Sequence, residues 1–178
     1  MQLSSSMSIE IDDAKFQQIL DIAVGNQRIK PKEIRAIVQL TQLAAWIDLE
    51  DDPAERALVR ALTYRLCTWG DLAMDSIPLL SPVPLDTEER AARIAMLAHQ
   101  LDTSAARDLA YVLTYLVIVV DLELAPVESD LLEELQRALA IRPARAGELI
   151  DAIAWIVTPE ELPAPEPGGA EPRAPSSP

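Results

Sequence analysis

RDLAYVLTYLVIVVDLELAPVESDLLEELQRALAI, residues 107–141, is the stretch whose reading decides the fold. Its apolar run from Leu109 to Val120 is twelve residues long. That is too long for a single strand and well short of the ~20 residues that span a bilayer. The β-branched end, Val117-Ile118-Val119-Val120, would by itself suit a strand. The argument for helix lies 73 positions earlier, where Ala44-Ala45-Trp46-Ile47 continues a stripe of Ile34, Ile37, Val38, Thr41, Ala44 and Ile47 spaced three or four apart. The run therefore reads as a buried helix, apolar almost all round, against which the other elements should pack.

The same offset extends well beyond that stripe. The octet DLELAPVE, Asp121 to Glu128, matches DLEDDPAE, Asp48 to Glu55, without a gap. Leu40, Thr41, Leu43, Leu58, Leu62 and Leu66 recur as Leu113, Thr114, Leu116, Leu131, Leu135 and Leu139. Eleven identities thus fall within the 31 pairs that start at residues 36 to 66, where ordinary composition gives about two. The chain reads as an internal duplication of a helix, an acidic turn and a second helix.

Helical spacing and start signals organise the remainder. Pro31-Lys32-Glu33, Pro53-Ala54-Glu55 and Pro126-Val127-Glu128 each put proline at a first helical position and a glutamate near the positive end of the helix dipole. Asp86 with Glu88 and Glu89 opens another helix. The expectation is an all-α, compact bundle of about seven helices with an internal pseudo-twofold duplication. The helices are placed near 13–24, 32–48, 53–69, 86–101, 104–121, 126–140 and 144–157, with a looser stretch at 70–85. Residues 1–12 read as a flexible N-terminus and 13–158 as the helical domain. Residues 159–178 hold seven of the fourteen prolines and one sizeable aliphatic side chain, Leu162. Such a segment cannot bury enough apolar surface to offset its ordering entropy, and it reads as a disordered tail.

Composition narrows the function. A formal net charge of −14 and a pI near 4.4 argue against nucleic acid and anionic lipid, and favour cations or a basic protein partner. Cys67 is the one cysteine and His99 the one histidine, so no His–Cys zinc cluster can be assembled. As a nucleophile and base that pair has little to recommend it, and no nucleophile elbow or phosphate-cradling glycine loop occurs. The opening MQLSSSMS lacks the features of a secretory signal, which points to a cytoplasmic protein. Trp46, Trp69 and Trp155 are expected to serve core or interhelix packing.

Two copies of apolar helix, Asp, short turn, Glu, apolar helix in a small acidic protein resemble the TerB family, named for tellurite resistance. Residues 107–141 carry the closer copy and AIVQLTQLAAWIDLEDDPAERALVRALTYRL, residues 36–66, the other. The likeness covers roughly residues 13–157. Where the family typically carries Asp-Gly at the start of the turn, Leu49 and Leu122 stand here. The resemblance implies a non-enzymatic helical bundle whose turn carboxylates bind divalent cations and which acts in a stress response. The candidate ligands are Asp48, Glu50 and Glu55 in the first copy and Asp121, Glu123 and Glu128 in the second. Oxygen-only ligands suit Ca²⁺ or Mg²⁺. The spacing is not that of an EF-hand, whose twelfth position would fall on Val59 or Leu132. On their own chemistry Glu55 and Glu128 also suit a capping box, and Asp48 and Asp121 an Asx turn. The alternative function is therefore a metal-free structural module for protein–protein interaction.

Overall fold

A computed structural model describes residues 11–47, 53–78, 85–120 and 126–157. Seven α-helices are present among them: α1 Asp13–Ala23, α2 Pro31–Ala44, α3 Pro53–Trp69, α4 Thr87–Ala98, α5 Ser104–Ile118, α6 Pro126–Ala138 and α7 Pro143–Val157. No strand occurs among the described residues, so the all-α expectation holds. The expected tail, 159–178, lies outside them, as do residues 1–10.

The start signals act as the sequence suggests. Asp12 caps α1 by accepting from Lys15 N–H at 2.8 Å. Asp86 caps α4 by accepting from Glu88 and Glu89 N–H, while Glu89 returns a carboxylate to Asp86 N–H. Each of these bonds satisfies a donor that the helix itself leaves open. Pro31, Pro53 and Pro126 are the first residues of α2, α3 and α6.

α5 is the central element. Along its length Ala105, Ala106, Leu109 to Thr114, and Leu116 to Ile118 are all buried. It packs against α1, α2, α3, α6 and α7, while α4 lies across α2 and α6. The arrangement is crosswise: α1 packs on α5, and α4, the corresponding first helix of the second half, packs on α2. Burial follows the 73-residue offset. Leu58, Leu62 and Leu66 are buried on α3, as are Leu131 and Leu135 on α6 and Leu139 just beyond it. Thr41 and Thr114 are both buried within the α2–α5 pair.

α3 and α6 end in the same way. Asp71 and Ala140 take left-handed backbone angles, φ 51° and 54°. Leu72 N–H then reaches back to Cys67 C=O, and Ile141 N–H to Gln136 C=O. This is the left-handed closure that satisfies final helix carbonyls. The two turns are 69 residues apart rather than 73, because α6 has 13 residues and α3 has 17, a difference of about one helical turn.

Three expectations need correction. α2 ends at Ala44 and α5 at Ile118, short of the expected 48 and 121. Trp46 and Ile47 N–H bond to the carbonyls three residues back, on Leu43 and Ala44, so the helix tightens and stops. Periodicity could not show this, because the apolar stripe runs on through the turn. The expected 86–101 helix likewise ends at Ala98. Finally, the tryptophans are not uniformly packed. Trp46 is half-buried, but Trp69 and Trp155 are exposed, and Trp155 donates its indole N–H to Ala152 C=O.

Leu113→Ala should cost about 2–5 kcal/mol, the usual range for a fully buried leucine, whereas Met96→Ala on exposed α4 surface should cost a few tenths. Denaturant unfolding of the two variants checks this. Equal losses would mean that α5 is not the centre of the core.

Candidate functional site

Of the six candidate ligands, Asp48, Glu50, Asp121 and Glu123 lie outside the described residues. Glu55 and Glu128 are described, and they match. Each is the third residue of its helix, α3 or α6, and each is 3% exposed. Neither residue is without an interaction partner. A carboxylate in the first helical turn is favoured by the dipole. No group of three or more His, Cys, Asp or Glu side chains placed to hold a metal ion occurs among the described residues.

Cys67 and His99 do not form a reactive pair. Cys67 is buried on α3, and burial pushes its thiol up from the ordinary value, which keeps it protonated. His99 is exposed at the C-terminal end of α4.

The most developed polar constellation is one the sequence reading did not assign. Glu33, at the N-terminus of α2, is fully buried. One carboxylate oxygen accepts from Lys30 N–H at 2.8 Å, closing the α2 capping box. The other accepts from Asp102 N–H at 2.9 Å, Thr103 N–H at 3.1 Å and Thr103 Oγ1–H at 3.2 Å. Thr103 is itself the N-cap of α5, accepting from Ala106 N–H. One side chain thus ties together the N-termini of the two central helices. Around it, Asp102 receives Lys30 Nζ at 2.9 Å and Lys32 Nζ at 2.8 Å. Those two ammonium groups hold the Asp102 carboxyl at about 2, below its ordinary 3.8. The Pro31-Lys32-Glu33 signature marked a helix start, but its reach to a loop 70 residues away carried no local signal.

Two further ion pairs fix the outer helices. Arg90 on α4 grips Glu134 on α6 with two parallel bonds, Nε to Oε2 at 2.9 Å and Nη2 to Oε1 at 2.6 Å, and is nearly buried. Arg145 on α7 donates through Nε and Nη2 to Asp108 on α5. Both guanidinium groups are held above their ordinary value, chiefly by these carboxylate partners.

No protein-family model, no curated protein and no solved structure matches the chain. No helix among the described residues is long and apolar enough to cross a membrane.

Glu33→Ala strips an acceptor from four part-buried donors, and leaving a desolvated donor unsatisfied costs roughly 1–3 kcal/mol. We expect a loss of at least about 3 kcal/mol in urea unfolding, larger than that for Glu134→Ala if the α2–α5 junction dominates. The acid response has a definite sign. Because the folded Asp102 value lies below the unfolded one, its contribution is complete above about pH 4 and is lost as the pH falls through about 2. Carboxyl resonances followed by NMR should show Asp102 titrating near 2, and Lys30→Met together with Lys32→Met should return it towards 3.8.

Proposed function

We propose that this chain is a non-enzymatic, TerB-like helical domain that binds a divalent cation, Ca²⁺ or Mg²⁺, at its repeated acidic turns. In this reading it acts in the cytoplasm as an adaptor for a protein partner in a metal, tellurite or envelope stress response. The reading includes a duplication of one helical hairpin as the origin of the two halves. The observation that carries the cation binding is the matched placement of Glu55 and Glu128, the last residues of the two acidic octets, buried to the same degree at the third position of α3 and α6. Each lies within seven residues in sequence of the aspartate and glutamate of its own turn, Asp48 and Glu50 or Asp121 and Glu123. The stress-response role rests on the resemblance of residues 36–66 and 107–141.

A second reading has its own support. The same two glutamates, already engaged in the first turns of their helices, fit pure capping. Tyr64 and Trp69 on α3 and Trp155 on α7 leave aromatic surface exposed, as a metal-free interaction module would.

Melting with chelator, Ca²⁺ or Mg²⁺ separates the two. A cation held only by the folded state at ~100-fold its Kd adds about 2.7 kcal/mol. The cation reading expects such a rise, expects Asp121→Asn to remove most of it, with Asp48→Asn second, and expects both variants to be near neutral in chelator. No rise at millimolar cation would leave the carboxylates as caps.

A further inference from the structure

The N-terminal end of α5 borders a cleft of about 470 Å³, walled by the C-terminal end of α1, the turn after α6 and the first turn of α7. In a chain with 15 Lys and Arg against 29 Asp and Glu, three arginines converge here: Arg107, Arg142 and Arg145. They are not equally available. Arg145 is committed to Asp108 and Glu148, which neutralises the one carboxylate on the α5 wall. Arg107 spends only its Nε, on Leu101 C=O at 3.0 Å. The exposed Arg142 guanidinium has no hydrogen bond or ion pair among the described residues. Asp21 stands exposed on the α1 side, hydrogen-bonded to Gln17.

The first half shows what this place looks like when it is only structural. The residue 73 positions before Arg107 is Ile34, fully buried at the N-terminal end of α2. It packs closely on Gly70, beside the left-handed turn that ends α3, where a Cβ would push against its Cδ1. In the second half the matching turn, at Ala140, carries no such apolar plug. A guanidinium replaces the isoleucine, and the space stays open. Core packing alone would favour the apolar solution. We propose that the cleft is a binding site for a small phosphate-bearing molecule, gripped by the free edges of Arg107 and Arg142 with Ser104 at the wall. Arginine forks match phosphate oxygens in two-bond geometry, and the volume accommodates more than an inorganic ion.

The test is a titration of the full chain with inorganic phosphate at constant ionic strength, read by NMR at the arginine Nε–H and Ser104 N–H groups. Saturable shifts at Arg107, Arg142 and Ser104 are expected. Arg142→Gln, which loses no side-chain bond among the described residues, should keep the phosphate-free melting temperature and weaken the apparent affinity at least about tenfold, the scale of one lost charge-assisted hydrogen bond. Arg107→Gln should weaken it comparably. Absence of saturable shifts, or unchanged affinity in both variants, would overturn the proposal. So would an equal response to acetate, since it would show that the cleft does not select phosphate.

Discussion

A buried carboxylate can be kept in a protein interior only if its lone pairs are met, and Glu33 meets this demand in a way that organises the whole chain. Its four donors belong to the N-cap residue of α2 and to the loop and N-cap residue that begin α5. Those helices form the largest contact in the molecule. Moving either helix by a fraction of a turn would leave buried donors and a buried charge unpaired at once. The junction therefore sets the register of the central pair, and the apolar faces of α1, α3, α4, α6 and α7 close around it. Lys30 and Lys32 reinforce it from the solvent side through Asp102, where screening makes their effect smaller.

From that junction the two halves run outward alike, then diverge. Each begins with an aspartate-capped helix laid across the other half's central helix. Each has a third helix closed by a left-handed residue. The divergence is concentrated at the end of α6, one turn shorter than α3, and at Arg107 in place of Ile34. Arg107 and the turn that follows the shorter α6 both line the arginine-rich cleft.

Much of the architecture was legible in the sequence, because it depends on local chemistry. Pro31, Pro53 and Pro126 mark helix starts through a fixed φ, and Asp86 through its capping oxygens. The apolar run at Leu109 marks the centre because no surface helix tolerates apolar residues on every side. Helix ends were less legible: Ile47 and Val120 continue the apolar stripe although the hydrogen bonding has already changed at Ala45 and Val119. The exposure of Trp69 and Trp155 was missed because composition treats every tryptophan as core. Of the candidate site, the equivalence of Glu55 and Glu128 could be read from the repeated octet. The reach of Glu33 to Thr103, and of Arg90 to Glu134, could not, since each pairs residues whose proximity is a property of the packed bundle alone.

Amide hydrogen exchange tests the central claim most directly. If Glu33 fixes the α2–α5 register, the Asp102 and Thr103 N–H groups should exchange only through global opening, with the same protection as Leu109 to Leu116 in α5. Glu33→Gln should lower both sets together. Exchange at Asp102 and Thr103 orders of magnitude faster than in α5, or unaffected by the substitution, would contradict the account.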